Sequence, residues 1–323
     1  MQSPWAPESY SPLTGKPLLL IRFDGEDLAG GGPELDRALL ALEQLPCPSI
    51  ALAAGALSGD AQRLLVRCDL ALADPADLEA VVEALRRRPL AALALVQLLR
   101  LGERLDAHAG LIAESLVYST LQSGPEFAQW CASRPAPRAA RQPSVPAVLV
   151  ERSGERLHLT LNRPDKRNAF SAEMRDALAE GLRTAAADPE LEVLLDGAGP
   201  AFCSGGDLDE FGTLPDPATA HAVRSTRNPA RLLAGLSARV TAHVHGACVG
   251  AGAELPAFAR HVRAAEDAFF QLPEIGMGLV PGAGGTVSLP RRVGRQRAAW
   301  LALSGARIDA RTALSWGLVD EIA

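Results

Sequence analysis

The sequence predicts an α/β protein made of two parts. Three observations carry that expectation. From residue 148 onward, short apolar runs alternate with segments of helical periodicity. A Pro/Arg/Ser-rich stretch, "SRPAPRAARQPSVPA" (133–147), divides the chain. The part before that stretch repeats, in worn form, the pattern of the part after it. The expected boundaries are 1–137 for the first part, 138–147 for the linker and 148–323 for the second. Each part has the size of an ordinary domain.

The second part begins with "AVLVER" and "RLHLTLNR", whose alternation of apolar and polar residues predicts a hairpin. "SAEMRDALAEGLRTAAAD" then predicts a helix with Ser171 as its N-cap. "LEVLLDG" reads as a short buried strand and "RVTAHVHGACVG" as another that runs into glycines. "GAELPAFARHV" has helical character and "AFFQLPE" is strand-like. "RQRAAWLALSG" and "DARTALSWG" close the chain as two short helices, each stopped by glycine.

In the first part, "PSIALAAGALSGDAQRLLVRCDLALAD" (48–74) matches "RVTAHVHGACVGAGAELPAFARHVRAA" (239–265) at a constant offset of 191 residues, aligning Gly55 with Gly246 and Gly59 with Gly250. "LLLIRFDGEDLAGGG" (18–32) echoes "LEVLLDGAGPAFCSGGD" (191–207) with three residues missing. An internal duplication accounts for both; chance likeness between two βα units is the competing reading.

Composition narrows the function classes. Apolar residues make up 48 % of the chain, enough for a sizeable core. The net charge of −6, with no long basic run, argues against a nucleic-acid partner. The most apolar segment, "PLAALALVQLLRL" (89–101), is too short to span a bilayer and is broken by Arg100, so it is expected to be a buried or amphipathic helix. No signal peptide is evident at the start. Five cysteines without CxxC spacing argue against a zinc site or disulfide scaffold and point to the cytoplasm.

Three glycine-bearing loops in the second part have chemical potential: "FCSGGD" (202–207), "GACVGAGAE" (246–254) and "PGAGG" (281–285). Glycine lets a backbone approach a ligand, and a strand–loop–helix junction leaves N–H groups unpaired, so two such loops can hold one developing oxyanion. Tight turns are the competing reading for any single loop. Glu254 closes the second loop, and Glu274 lies among apolar residues in "QLPEIGMGLVPGAGG". Two carboxylates can divide base and acid work if their surroundings separate their pKa values. Otherwise Glu254 complements a helix start and Glu274 is a solvated loop residue. Nucleophile patterns are weak: Ser204 lies in no GxSxG elbow, and Cys203 has no adjacent base, so it reads as a small buried residue. His243 and His245 alternate along one strand without further ligands at metal spacing.

"LNRPDKRNAFSAEM", "AFCSGGDL", "VHGACVGAGAELPAFA", "FFQLPEIGMGLVPGAGGTVSLPRRVG" and "LSGARIDARTALSWGLVDE" occur in order over residues 148–323. With these segments the second part resembles the crotonase, or enoyl-CoA hydratase/isomerase, superfamily. The resemblance implies a spiral of ββα units and an acyl-CoA substrate, with no metal and no cofactor beyond the coenzyme A of the substrate. It implies an oxyanion hole formed by the main-chain N–H groups of Cys203 and Ala251. It implies that Glu254 activates water and Glu274 handles the α-proton. Ser204, Gly205, Gly206, Asp207 and Gly250 would line the substrate, and Lys166 and Arg167 would meet coenzyme A phosphates. Both glutamates favour hydration; isomerisation, hydrolysis, C–C cleavage or a non-catalytic partner role are the alternatives. The family also implies a homo-oligomer, a trimer or hexamer. Two departures stand out. The sequence stops at "GLVDEIA", where most members continue into helices that complete the pocket, and "LIAESLVYSTLQSGPEFAQWCASRPAP" (111–137) looks like those helices. The first part is therefore expected to be a degenerate crotonase-like copy whose helices cover the catalytic copy. At the offset of 191, Arg63 stands where Glu254 would be, so the first copy is expected to be inactive.

Overall fold

A computed structural model describes residues 7–23, 32–57, 59–135, 145–213 and 216–323. Residues 138–144 of the expected linker and 24–31 of the first echo lie outside the described residues.

The first part runs β1 (Leu19–Phe23), α1 (Pro33–Gln44), β2 (Ser49–Ala53), α2 (Gly59–Arg67), β3 (Leu70–Leu72), then four helices, α3 (Pro75–Arg87), α4 (Pro89–Gly102), α5 (Ala107–Gln122) and α6 (Pro125–Ala132). Its strands form a parallel sheet in the order β1-β2-β3. Every residue of β2, "SIALA", is buried, as a parallel strand covered on both faces requires.

The second part opens with the expected hairpin, β4 (Val148–Ser153) against β5 (Arg156–Leu161). On β5, residues 157, 159 and 161 are buried and alternate with more exposed ones, so one face meets the core. Helix α7 (Ala172–Ala187) follows, and Met174 N–H donates to the Oγ of the N-cap Ser171 at 3.2 Å. Next come β6 (Glu192–Gly197), α8 (Pro217–Thr226), α9 (Pro229–Leu236), β7 (Val240–Val244), β8 (Ala247–Val249), α10 (Ala251–Glu254), β9 (His261–Ala264) and β10 (Phe269–Gln271). Helices α11 (Gly285–Val293) and α12 (Arg295–Ser304), strand β11 (Ile308–Asp309), α13 (Ala310–Trp316) and β12 (Glu321–Ile322) close the described chain. A six-stranded sheet has the order β12-β9-β7-β6-β5-β4, and a small second sheet has the order β11-β10-β8.

Two elements differ from the sequence expectation. "RVTAHVHGACVG" is not one strand: it breaks at His245–Gly246, so β7 joins the large sheet and β8 the small one. The helix expected over "GAELPAFARHV" is a single turn, α10, because Pro256 cannot continue an α-helical ladder; His261 and Val262 are already in β9.

Ser49–Ala53 and Val240–Val244 begin 191 residues apart, as do β3 and β9. Both sheets carry three parallel strands in matching order, β1-β2-β3 and β6-β7-β9.

The two parts share one core. A continuous cluster of buried side chains includes Leu52, Leu85 and Leu95 from the first part and Leu159, Leu195 and Leu289 from the second. Helices α4 and α5 pack on α11, α5 also on α8 and α9, and α3 and α4 on α12. A buried polar knot pins the interface. Asp69 accepts from Arg100 of α4 and, at 3.0 Å, from Arg295 of α12. Gln296 Nε2 donates to the carbonyls of Leu65 at 2.8 Å and Cys68 at 3.0 Å. Among the described residues, no helix is long and apolar enough to cross a membrane.

Candidate active site

The three glycine loops converge on one cavity, whose lining includes Gly206, Ala251, Glu254, Glu274 and Gly282–Gly284. The fourth wall comes from the first part: Leu111, Glu114, Ser115 and Tyr118 of α5.

Of the two expected main-chain donors, only Ala251 has a free N–H among the described residues. Cys203 N–H donates to the Ala247 carbonyl at 3.0 Å, and Cys203 O accepts from Val249 N–H at 2.9 Å. Residue 203 is thus laddered onto β8, and its N–H is not available to a ligand, which corrects the assignment of Cys203 to the oxyanion hole. In the same loop the bonds around Gly206 are taken by its neighbours: Phe170 N–H donates to Gly205 O at 2.7 Å, and Asp207 N–H to Phe170 O at 3.0 Å. Gly206 N–H itself has no partner among the described residues, and Gly206 lines the cavity. Ala251 is alike. Gly250 N–H donates to Gln271 O at 2.9 Å, and the N–H groups of Ala253 and Glu254 donate to Gly250 O, leaving Ala251 N–H unpaired at the start of α10. Burial pushes the Cys203 thiol up to about 12, so a reactive thiolate is not formed there.

Gly250 has φ +49°, a conformation that disfavours other residues, and a Cβ there would lie 2.5 Å from Glu274 Oε1. The turn therefore brings backbone directly against the Glu274 carboxylate.

Glu254 and Glu274 are both buried. Glu254 Oε2 accepts from Ala283 N–H at 2.7 Å and Gly285 N–H at 2.8 Å. Glu274 Oε2 has no hydrogen-bond partner among the described residues. Burial pushes Glu274 up to about 8. Burial, then the Glu274 and Glu114 charges, push Glu254 well above the carboxylate range, against the pull of its two N–H donors.

Glu114 was not singled out by the sequence. It is buried on α5, and its two oxygens accept from the other N–H groups of the same loop: Oε1 from Gly284 at 2.8 Å, Oε2 from Thr286 N at 3.0 Å and Thr286 Oγ1 at 2.7 Å. Residues 283–286 therefore donate alternately to Glu254 and Glu114. Burial pushes Glu114 up to about 7. Three buried carboxylates around one cavity do not all ionise at neutral pH.

Of the remaining expected residues, Asp207 lines the cavity, whereas Ser204, Gly205, Gly250, Lys166 and Arg167 lie outside its lining. Asp207 is buried, accepts from Arg163 at 2.9 Å and from Lys166 at 3.2 Å, and lines the cavity. Lys166 also pairs with Asp209 at 2.9 Å. Ser204 N–H donates to Arg167 O at 3.0 Å, which ties the Gly205–Gly206 loop to the Lys166–Arg167 turn. Arg167 itself is exposed.

The profile of the enoyl-CoA hydratase/isomerase family matches residues 152–323, more than half of the chain. The chain belongs to this family. The 1,2-epoxyphenylacetyl-CoA isomerase of Escherichia coli is 41 % identical over 169 residues, 51 % of this chain and 64 % of that protein. The 2,3-dehydroadipyl-CoA hydratase of the same organism is 39 % identical over 176 residues, 54 % of this chain and 68 % of that one. The chain thus spans about two thirds of the length of these relatives. The crystal structure of an enoyl-CoA hydratase from Mycobacterium smegmatis superposes with a TM-score of 0.52 at 34 % identity, covering 55 % of this chain and 70 % of that one. The second part therefore has the crotonase fold.

Proposed function

We propose that the protein is an enoyl-CoA hydratase-type lyase, adding water across the 2,3 double bond of an acyl-CoA thioester. The observation that carries this reading is the pairing of two buried carboxylates with two unpaired main-chain N–H groups around one cavity.

In this reading the thioester oxygen accepts from the N–H groups of Gly206 and Ala251, which oppose the charge that develops as an enolate forms. Glu254 is the ionised member of the carboxylate cluster in this reading, because Ala283 and Gly285 N–H stabilise its anion through Oε2; it keeps Oε1 for a water and takes its proton as that water attacks the β-carbon. Glu274 carries the other proton: a buried oxygen without a partner among the described residues suits a neutral acid that donates to the α-carbon. Lys166 and Arg167 face the coenzyme A phosphates. The relative named as a 2,3-dehydroadipyl-CoA hydratase favours hydration; the one named as an isomerase keeps rearrangement of an acyl-CoA as the second reading.

In the same reading, the first part is a degenerate copy of the second whose helices cover the catalytic cavity. The 191-residue spacing of matching strands supports it, as does Arg63, which pairs with Asp60 and Asp36 at the place corresponding to Glu254. Assembly into a trimer or hexamer belongs to this reading and is tested by sedimentation of the purified chain.

Loss of the conjugated thioester absorbance of crotonyl-CoA, with mass analysis of the product, tests the reaction. A product one water heavier supports hydration. An isomer of unchanged mass moves the assignment to the second reading.

A further inference from the structure

Three arginines line the same cavity: Arg175, Arg224 and Arg227. Two of them share one carboxylate. Arg175 lies 2.7 Å from Asp176 Oδ1 and Arg227 lies 2.6 Å from Asp176 Oδ2. Arg224, on α8, is different. All its hydrogen-bond partners are neutral groups of α5: Ser115 Oγ at 3.1 Å, the Ser115 carbonyl at 3.3 Å, Gln122 Oε1 at 3.3 Å, and Ser119 Oγ. Its guanidinium stands 4.8 Å from the centre of the Tyr118 ring. No carboxylate among the described residues forms an ion pair with it; Glu114 acts on it only at longer range and is itself pushed up to about 7 by burial.

A guanidinium drawn out of water against neutral partners is costly, and an ion lacking a counter-charge is where an arriving anion gains most. A tie between α5 and α8 needs neither a charge nor a place on the cavity wall. Four of the five N–H groups are engaged, which holds the planar fork in place, and one Nη1 hydrogen is left over. The side chains around it, Ser115, Ser119 and Gln122, can turn hydroxyl or amide hydrogens toward an anion. The acid pair and Arg224 thus face a single cavity, one suited to proton transfer and the other to charge recognition.

We propose that Arg224 receives a carboxylate at the far end of the acyl group, so that the preferred substrate is a short 2-enoyl-CoA whose acyl chain ends in a carboxylate. The inference rests on the acyl-CoA reading above. A coenzyme A phosphate is the other source of such an anion, and the experiment separates the two.

With the full chain, kcat/KM is measured for crotonyl-CoA and for the mono-CoA thioester of a short 2-unsaturated dicarboxylic acid. Dissociation constants are measured in parallel for the saturated counterparts of both. Charge-assisted recognition predicts a preference for the carboxylated thioester of about 10- to 100-fold. In Arg224→Gln the ratio falls toward one; Arg224→Lys, which keeps the charge without the fork, retains part of it. Equal treatment of the two thioesters by the wild type overturns the proposal. So does an Arg224→Gln variant that weakens both equally, because the anion is then the coenzyme A phosphate or the contact is only structural. If neither thioester is turned over, hydration fails as a reading, and the ratio of dissociation constants still decides the role of Arg224.

Discussion

Glu274 carries a buried oxygen with no partner among the described residues, beside a second carboxylate whose equivalent oxygen has two. That asymmetry separates their roles better than their shared burial does. A side chain with the same shape but no titratable proton tests it: Glu274→Gln should lower kcat by about 10²- to 10⁴-fold while the circular dichroism spectrum stays native, since proton transfer by one group is worth that much. The same residue sets a pH signature. Its folded pKa, about 8, lies above the ordinary value of 4.5, so the native state holds a proton that the unfolded chain has released. The resulting stability is fully present below about pH 4.5 and is lost as pH rises through 8. The melting temperature of the wild type should fall across that window, and that of Glu274→Gln should fall less steeply. A steeper slope in the variant would contradict the assignment. At this scale the family resemblance pointed to both glutamates, and the structure brings them to one cavity. The same resemblance expected Cys203 N–H to be free, whereas that group donates to the Ala247 carbonyl. The motif identifies the loop, but which N–H is free depends on the ladder between Cys203 and β8, and that pairing is not legible without the register.

The element that matters most beyond the motifs is α5. It shapes the loop 281–286 from the side opposite Glu254, through Glu114 to Gly284 and Thr286 and through Tyr118, whose ring would meet a Cβ on Gly282. Removing the carboxylate leaves two buried N–H groups unsatisfied, so Glu114→Ala should lower stability by roughly 2–4 kcal/mol in denaturant titration. It should also slow turnover, because Glu254 hangs from the intervening N–H groups. Gly282→Ala should act through the same loop without touching a carboxylate, measured as lost activity alongside a lowered melting temperature. None of this was legible from Glu114 itself. It lies on an ordinary-looking helix and meets a loop about 170 residues later, so only tertiary packing gives it meaning. The hairpin β4–β5 and helix α7 were legible, since alternation and a Ser cap act locally. The break between β7 and β8 was not: two sheets compete for one apolar run, and sequence periodicity does not say which sheet each half joins.

Across the whole molecule the halves behave as one body. They share a core, and the buried Asp69 of the first part counters both Arg100 and Arg295. Asp69→Ala strands two arginines in the interface and should cost about 3–5 kcal/mol, read from the denaturation midpoint. The wild type should unfold in a single calorimetric transition, with equal calorimetric and van't Hoff enthalpies. Two transitions would mean that the parts are independent. The crotonase fold of the second part followed from its family resemblance; the contribution of the first part to the cavity wall needed the packing of α4 and α5 on α11. In the proposed reaction this composite cavity stabilises an enolate and Glu274 moves its α-proton. The most direct test is the exchange of α-hydrogens of a saturated acyl-CoA, such as butyryl-CoA, in deuterated water, followed by mass spectrometry. The wild type should exchange these hydrogens, and Glu274→Gln should not. Exchange at the wild-type rate in Glu274→Gln, or no exchange in a wild type that binds the thioester, would contradict it.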